Sequence, residues 1–251
     1  MKTLVAIMTC WKPEHRAKAQ AQRETWVPAL RAMGHDVLFF LGTPPCTNDW
    51  GRDDVPLFGV DDGYSGLTQK VKAICGWAAD EGYDQLVKVD DDVYVVPQRF
   101  KWLPLGKDYI GKFRSPYGQY PVHFASGFAY CLSRLACKVV AATPWNGDWL
   151  EERFVSTALA HREIWGYTDR ENYCVTGPPH DPDFTAKHPL LNGGTFYCEY
   201  SADDIRRMHT AFLNAQPIWP SARLEPVPRA YVSTQSLWEA PKDSIPDGKL
   251  L

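Results

Sequence analysis

Three consecutive aspartates, Asp90, Asp91 and Asp92, follow the short apolar segment QLVKV in a chain of 251 residues. Alternate side chains of a strand share a face, so Asp90 and Asp92 should point to one side and Asp91 to the other. Neighbouring carboxylates repel each other unless a cation lies between them, and hard divalent cations prefer carboxylate oxygens. The triplet therefore predicts a metal site on Asp90 and Asp92; the alternative is a solvated acidic turn.

A metal held by two carboxylates is compatible with several reactions. It suits glycosyl transfer from a nucleotide sugar, phosphoryl transfer and phosphoester hydrolysis. The sequence has no G-x-x-x-x-G-K-[ST] loop and no protein-kinase signature set, which argues against P-loop and protein-kinase chemistry. It also has no histidine-rich cluster that would indicate a dinuclear hydrolase.

The composition is that of a globular protein. Hydrophobic residues make up 45% and charged residues 23%, and the net charge of −3 gives no overall basic field for nucleic acid or an anionic membrane. The seven cysteines are odd in number and include no C-x-x-C pair, so neither a zinc site nor a disulfide framework is indicated. The apolar run in the opening MKTLVAIMTCW is too short for a signal peptide or a membrane span. We therefore expect a reduced, cytoplasmic protein with no membrane span.

The first hundred residues alternate between predicted strands and helices. The second predicted helix carries apolar residues at i, i+3, i+4 and i+7, namely Val71, Ile74, Cys75 and Ala78. Near-continuous apolar strands predict an α/β fold with a mostly parallel central sheet and helices on both faces. Ligands of such sheets bind beyond the carboxyl ends of the strands, where the triplet lies. The predicted strands are 3–9, 35–42, 56–62 and 85–89, and the predicted helices are 14–26 and 67–81.

The second half of the chain predicts two further strands and three helices. The strands are 108–113 and 127–133, and the helices are 133–143, 148–162 and 201–214. Two of these helices begin with the spacing of a capping box: Asp148 with Glu151, and Ser201 with Asp204. No linker is visible, so we expect one domain over 1–251, with a nucleotide-sugar-binding half (1–113), an acceptor and catalytic half (114–214) and a proline-rich extended tail (215–251).

Five segments, taken in order, resemble the β-1,3-galactosyltransferase and Fringe group of inverting glycosyltransferases. They are QRETW (22–26), DDGYSGLTQK (61–70), KVDDDVYV (88–95), YPVHFASGFAYCLS (120–133) and EERFVSTALA (151–160). The resemblance extends from the first strand to about residue 160, with a weaker similarity near 195–209. It implies a GT-A fold, a UDP-sugar donor and a D-x-D motif that binds Mn²⁺, or Mg²⁺, across the donor diphosphate.

The resemblance also assigns roles to individual residues. Asp92 would be the direct metal ligand, and Asp90 would lie near the ribose or sugar of the donor. Lys70 matches a lysine that contacts the diphosphate, and Arg23 matches an arginine near the nucleotide. Asp91 is grouped with the donor-binding residues only because it belongs to the triplet, since no specific role follows for it from the sequence.

The chain departs from the family pattern at three places. The family's catalytic base is the aspartate of a Glu-Asp-Val segment, and Glu152 occupies that place here, so Glu152 is the predicted base. The histidine that usually completes the metal site is replaced by Cys198 or Glu199. Gly66 stands where relatives often have asparagine. The second protein ligand of the metal is accordingly open between Glu199, His180, His188 and His209.

These features together predict a metal-dependent inverting glycosyltransferase that moves a sugar from a UDP-sugar to an acceptor hydroxyl of a saccharide. A hydroxylated base in DNA is an alternative acceptor, since Arg206, Arg207, Arg223 and Arg229 lie among aromatic residues in 206–229. A non-catalytic nucleotide- or glycan-binding module and a metal-dependent phosphoesterase are the alternatives from other classes. Eukaryotic relatives carry a membrane anchor before the first strand, so we expect a bacterial or viral member that works in the cytosol, or a trimmed luminal domain.

Overall fold

The computed structural model describes residues 1–44, 51–101, 103, 105–114, 123–169, 195–213 and 224–226. A sheet of eight strands forms its centre, and a separate two-stranded ribbon lies beside it. The strands are β1 (Thr3–Met8), β2 (Asp36–Leu41), β3 (Asp54–Pro56), β4 (Gln85–Asp90), β5 (Tyr94–Val95), β6 (Tyr109–Arg114), β7 (Phe124–Ser133), β8 (Tyr167–Asp169), β9 (Phe196–Tyr197) and β10 (Leu224–Pro226). The helices are α1 (Pro13–Glu24), α2 (Val27–Ala32), α3 (Leu67–Asp80), α4 (Pro97–Phe100), α5 (Arg134–Ala142), α6 (Glu151–Ala160) and α7 (Ala202–Leu213), and a 3₁₀ turn covers Tyr64–Gly66.

The strand order of the large sheet is β10-β8-β6-β7-β4-β1-β2-β3. Strands β3, β2, β1 and β4 are parallel, whereas β7 runs antiparallel between β4 and β6. Strand β8 is parallel to β6, and β10 is antiparallel to β8. The predicted α/β fold with a mostly parallel sheet is therefore confirmed, with an antiparallel strand next to the one that carries the aspartates.

Alternating side chains of the central strands pack into two cores, one on each face of the sheet. Val5 and Ile7 of β1 face a core that includes residues of α1, α2 and α7. Leu4 and Ala6 face the opposite core, which includes residues of α3, α5 and α6. Strands buried on both faces explain the near-continuous apolar segments in the sequence, and the predicted helices on both faces are confirmed.

Most of the predicted elements lie close to their observed positions. All four periodic residues of α3 are buried, and the Ser201–Asp204 capping box forms at α7, where each residue binds the other's backbone amide. The expected third strand at 56–62 was misplaced, because β3 ends at Pro56 and Leu57 to Val60 form a turn. Proline cannot donate to a sheet, which ends the pairing there.

The capping box predicted at Asp148 and Glu151 does not form. Helix α6 begins at Glu151 and has no side-chain cap. Asp148 accepts the Leu150 amide and forms an ion pair with Arg153, while Glu151 turns into the protein interior. The Glu151 carboxylate binds an interior lysine, and that ion pair takes the place of the expected cap.

Two further predictions concern the tail and the membrane. Leu224–Pro226 of the proline-rich tail adds a strand to the sheet edge, and the other tail residues lie outside the described part of the chain. Among the described residues, none of the helices combines the length and the apolar character that crossing a bilayer requires.

Candidate active site

The carboxyl ends of β1 and β4 open into a cleft of about 520 Å³. Residues from five segments meet there: the β1–α1 connection, the turn before α3, the aspartate triplet, β7 with the start of α6, and the segment after β9. The lining residues are Met8, Thr9, Cys10, Lys12, His15, Asp62, Gly63, Tyr64, Leu67, Lys70, Asp90, Asp91, Asp92, Ser126, Gly127, Phe128, Glu151, Glu152, Cys198 and Glu199.

Strand β4 ends at Asp90, so the alternation of side chains expected for the triplet does not extend to Asp91 and Asp92 in the turn that follows, and all three residues line the cleft. Asp91 also contacts α1. Its carboxylate accepts hydrogen bonds from Thr9 Oγ1 at 2.6 Å and from His15 Nδ1 at 2.9 Å, and only 4% of the residue is exposed. The hydrogen bond to Asp91 raises the pKa of His15, although burial opposes this. Asp91 therefore ties the β1–α1 connection to the end of β4, a role that the sequence did not indicate.

The Asp92 carboxylate has no hydrogen bond or ion pair with any residue that the structure describes. It lies partly buried between β4 and β5, and its backbone carbonyl accepts the Tyr200 amide at 3.0 Å. Burial raises the pKa of Asp92 to about 6, and the neighbouring Asp90 adds to the rise. A carboxylate with these surroundings is electrostatically uncompensated, and a cation in the cleft would supply the missing charge.

Asp90 belongs to a buried ionic network centred on Lys88. The Lys88 ammonium donates to Asp90 Oδ1 at 2.6 Å, to Glu151 Oε1 at 2.7 Å and to the Gly127 carbonyl. Burial alone would lower the pKa of Lys88, but Asp90 and Glu151 outweigh it and raise the pKa above its ordinary value. About a third of the Asp90 side chain, 31%, remains open to the cleft. Lys88 thus joins the aspartate triplet to the start of α6.

The two adjacent glutamates of α6 have different surroundings. Glu151 is buried, and besides Lys88 it accepts the hydroxyl of Tyr130, the residue opposite Lys88 on β7, at 2.5 Å. Burial raises the pKa of Glu151 to about 7; Lys88 opposes the rise, and Glu152 adds to it. The Glu152 carboxylate lines the cleft and has no hydrogen bond within the described ranges of the chain. Of the two, Glu152 is therefore the one available to a ligand.

Gly127 on β7 allows both glutamates to lie where they do. A Cβ atom at this position would lie 3.1 Å from Glu151 Oε1 and 3.3 Å from Glu152 Oε2. Those separations are tighter than ordinary van der Waals contact, so one of the carboxylates would have to move. The absence of a side chain at Gly127 leaves room for the start of α6 against the sheet.

Lys70 lines the cleft but is already engaged by the protein. Its ammonium donates to Asp62 Oδ1 at 2.9 Å and to the Thr9 carbonyl at 2.8 Å, and the residue is 1% exposed. Asp62 also accepts the backbone amides of Trp11 and Gly42, each at 2.6 Å, so it connects the ends of β1 and β2. The expected contact of Lys70 with a diphosphate stays a prediction, compatible with its position.

The turn before α3 explains the glycine at position 66. A Cβ atom there would lie 2.1 Å from the carbonyl oxygen of Asp61. An asparagine, frequent at this place in the resembling family, would not fit this turn. The departure from the family pattern therefore has a local steric cause.

The segment QRETW contributes a contact with the triplet, but through a different residue from the one expected. The buried amide of Gln22 donates to the carbonyls of Asp90 and Val93 and so fixes the turn after β4. Arg23 does not line the cleft: its guanidinium binds Asp53 at 3.0 Å and Asp54 at 2.5 Å. The predicted contact of Arg23 with a nucleotide stays a prediction, and this geometry does not favour it.

The segment after β9 brings Cys198 and Glu199 to the cleft beside Asp92. Pairing of β5 with β9 and the bond from the Tyr200 amide to the Asp92 carbonyl hold it there. Glu199 is exposed and has a φ of 68°, a left-handed conformation that is uncommon outside glycine. Strained backbone of this kind is retained where neighbouring contacts enforce it, often at functional sites.

The histidines considered as metal ligands do not strengthen the site. The ring of His209 lies against the Tyr94 hydroxyl, with Nδ1 at 3.2 Å, and does not line the cleft. His180 and His188 lie outside the described residues. Glu199 is therefore the only one of the four candidates that the described chain places in the cleft.

A divalent cation is compatible with this donor set only if the substrate supplies part of the coordination. Within the described ranges, no group of three or more His, Cys, Asp and Glu side chains is arranged to hold a metal ion. Asp90 and Asp92 nevertheless offer hard oxygen atoms, and Asp92 forms no ion pair with a described residue. Mg²⁺-type ions commonly bind through one or two carboxylates and substrate phosphates. The residues fit a cation shared with a phosphate-bearing ligand.

The sequence did not single out Lys88, Tyr130 and Gln22, although all three organise the cleft. The position of Lys88 within an apolar central strand does indicate a buried ion pair, because a lysine is rarely buried unless it is paired. The pairing of Lys88 with Glu151, 63 residues later, depends on the β4–β7 register. That register could not be read from a single sequence.

The arginine-rich segment proposed for nucleic acid is partly neutralised. Arg206 forms ion pairs with Glu24 and Asp203, and Arg207 forms one with Asp204. Arg223 and Arg229 lie outside the described residues. The described part of the segment therefore offers no unpaired basic stripe.

Many solved structures match this chain, and two of them illustrate how distant the similarity is. One is a glycosyltransferase involved in the glycosylation of the major capsid of PBCV-1, with 15% sequence identity over 82% of this chain and 99% of that chain and a TM-score of 0.46. The other is HddC from Yersinia pseudotuberculosis, with 10% identity over 58% of this chain and 81% of that chain and a TM-score of 0.37. No protein-family model and no curated protein matches the chain. At TM-scores this low, neither structure is evidence for the activity. The activity is therefore inferred from the residues of this chain.

Proposed function

We propose that this protein is a metal-dependent inverting glycosyltransferase that moves a sugar from a UDP-sugar to a hydroxyl group of a saccharide. The observation that carries the proposal is the meeting of two carboxylates, Asp92 and Glu152, in one cleft at the carboxyl edge of the sheet, neither of them bound to another described side chain. The resemblance of five ordered segments to inverting glycosyltransferases selects this reaction among those that carboxylates and a metal can support.

Asp92 and Asp90 are the residues that would hold the cation, with Glu199 beside them. The raised pKa of Asp92, about 6, shows how unfavourable its negative charge is without a partner. A bound Mn²⁺ or Mg²⁺ supplies the positive charge that stabilises a departing nucleoside diphosphate. The exposed Lys12 lines the same cleft, and Lys18 lowers the pKa of Asp92, so positive charge also comes from the α1 side.

Glu152 is the proposed general base. It would accept the proton of the acceptor hydroxyl while that oxygen forms the new bond to the anomeric carbon and the bond from that carbon to the diphosphate breaks. Attack from the face opposite the leaving group inverts the configuration. A longer side chain than the family's aspartate is accommodated because Gly127 leaves space against the sheet.

Glu151 has a positioning role in this scheme. Its carboxylate is committed to Lys88 and Tyr130, and it begins α6 immediately before Glu152. Because the Lys88 ammonium binds both Asp90 and Glu151, it holds the proposed metal-binding turn at a fixed position relative to the start of α6, where the proposed base Glu152 lies. The commitment of Glu151 is the reason for assigning Glu152, and not its neighbour, to the proton transfer.

The test is a panel of UDP-sugars incubated with Mn²⁺ and saccharide acceptors, with products identified by mass spectrometry. We expect a transfer product that is lost with EDTA and strongly reduced in Asp92→Asn. Binding of UDP without turnover would instead support a non-catalytic module. Release of phosphate from simple phosphoesters, without sugar transfer, would support a phosphoesterase, and transfer to hydroxymethylated DNA alone would replace the saccharide acceptor.

A further inference from the structure

Two exposed aromatic rings lie against each other beside the cleft, where Tyr64 belongs to the lining and Trp149 contacts Tyr64. Tyr64 is 67% exposed and Trp149 is 47% exposed, their ring centroids are 5.5 Å apart, and their planes meet at 49°. Large aromatic surfaces left open beside a cleft are typical of binding sites. We propose that Tyr64 and Trp149 form a platform for a pyranose ring of the acceptor, an assignment that rests on the proposed function and identifies its acceptor subsite.

The segment that carries Trp149 is fixed by hydrogen bonds. The Asp148 carbonyl accepts Thr68 Oγ1 at 2.7 Å and Trp145 Nε1 at 2.9 Å. The Asp148 carboxylate accepts the Leu150 amide at 3.0 Å and forms an ion pair with Arg153. The backbone on either side of Trp149 is thereby held in place.

The turn that carries Tyr64 is fixed in a similar way. Asp61 accepts the Gly63 amide at 3.1 Å and the Ser65 hydroxyl at 2.8 Å. The same turn runs into α3, whose second residue, Thr68, holds the Trp149 segment. The two rings therefore belong to one connected structure, and little ordering would be needed when a ligand binds.

The platform lies on the side of the cleft where the acceptor is needed. Tyr64 lines the cleft together with Glu152, and Trp149 precedes Glu152 by three residues at the start of α6. The proposed cation site lies on the triplet, at the end of β4. A saccharide that rests on Tyr64 and Trp149 is thus placed beside the proposed base.

The charges around the platform favour a neutral sugar over a nucleic-acid strand. Asp62 and Glu152 line the cleft with Tyr64, and Asp148 precedes Trp149 in the chain. Lys70 and Arg153 are ion-paired with Asp62 and Asp148, so the exposed Lys12 is left as the lysine of the cleft lining that forms no ion pair with a described carboxylate. A phosphate backbone needs available lysine or arginine, whereas the C–H face of a pyranose needs an apolar surface. Planes that meet at 49° also make an open wedge, unlike the parallel slot that suits a flat base.

The test measures saccharide binding directly, without donor or metal. Methyl glycopyranosides of glucose, galactose and mannose are added to the full chain, and binding is followed by saturation-transfer NMR. We expect Trp149→Ala and Tyr64→Ala to weaken the binding about tenfold, which corresponds to about 1.4 kcal/mol. Trp149→Phe, which keeps an aromatic ring, should recover most of it. Leu135→Ala removes a side chain from a residue that is 56% exposed and lies outside the cleft, so it should bind as the wild type does.

Several results would overturn the platform. The first is that Trp149→Ala binds glycosides as well as the wild type does. The second is that the wild type binds none of the glycosides. The third is that the protein binds a hydroxymethylated oligonucleotide instead of glycosides and that this binding depends on Trp149. The binding assay uses no UDP-sugar, so it tests the platform separately from the proposed function. If glycoside binding depends on Trp149 but the protein has no transferase activity, the proposed function is refuted and the platform is kept. If the protein transfers sugar and Trp149→Ala leaves the acceptor KM unchanged, the platform is refuted and the proposed function is kept.

Discussion

Replacing Lys88 with methionine should destabilise the fold in a pH-dependent way. The ammonium is 1% exposed and lies between Asp90 and Glu151, at 2.6 and 2.7 Å. Methionine keeps much of the volume and removes the charge, which leaves the buried Glu151 with only the Tyr130 hydroxyl among the described contacts. Removing one partner of a buried ion pair typically costs about 3–5 kcal/mol.

The pH dependence follows from Glu151. Its pKa in the folded protein is about 7 although Lys88 lowers it, so loss of Lys88 should raise this pKa further above the ordinary 4.5. A group with a raised folded-state pKa binds more protons when folded, so stability falls as pH rises above the unfolded value. At pH 5 Glu151 is protonated in both proteins. Between pH 7 and pH 8 it ionises in the wild type but should stay protonated in the variant, so the loss at pH 8 should exceed the loss at pH 5 by about 1.4 kcal/mol, the equivalent of one pKa unit.

Urea unfolding at pH 5 and pH 8, followed by tryptophan fluorescence, measures both values. The matched control is Lys72→Met, because Lys72 donates to the Thr143 carbonyl and forms no ion pair with a carboxylate among the described residues. It should cost about 1 kcal/mol at both pH values. Adding Glu151→Gln to Lys88→Met should recover about 1–3 kcal/mol at pH 8. Equal losses for Lys88→Met at the two pH values, or a double variant less stable than Lys88→Met, would refute the ionic network.

Three further changes test other parts of the cleft. Asp92→Asn should stabilise the metal-free protein at pH 7.5 by up to about 3 kcal/mol, because the pKa of Asp92 is raised from 3.8 to about 6, and this gain should vanish below about pH 4 in urea unfolding. Mn²⁺ together with UDP, at about 100 times the Kd of the complex, should raise the Tm of the wild type by about 5–10 °C and that of Asp92→Asn by less in calorimetry. Gly66→Ala should lower stability by about 1–3 kcal/mol, since its Cβ would meet the Asp61 carbonyl, and an unchanged urea midpoint would contradict this. Gly127→Ala should reduce kcat about tenfold or more by displacing Glu152, and an unchanged kcat would show that Glu152 adjusts freely.

The sequence was sufficient to predict the architecture, because burial on both faces leaves a clear pattern. Apolar strands, the periodicity of α3 and the position of the triplet at a strand end all correspond to the observed fold. A prediction from local spacing was wrong where a tertiary contact bound the same side chain. Glu151 has the spacing of a capping residue, yet the buried Lys88 binds it instead.

The interior of the site could be read from the sequence only in part. The alternation of side chains ends with β4 at Asp90, so it could not place Asp91, whose partners Thr9 and His15 lie some 80 residues earlier in the chain. Arg23 was singled out in QRETW, and the structure shows that the adjacent Gln22 makes the contact with the triplet. Such choices depend on how α1 packs against β4, which no local pattern encodes.

The most direct measurement of the central claim compares sugar transfer by the wild type and Glu152→Gln in Mn²⁺, with the UDP-sugar that the panel identifies. Glutamine keeps the shape of the side chain and cannot accept the proton, so kcat should fall by about 10²–10⁴. The affinity for UDP should remain within about twofold, since the proposed donor contacts lie on the triplet and on the α1 side. Transfer by Glu152→Gln at the wild-type rate, or a wild type that consumes no UDP-sugar, would contradict the account.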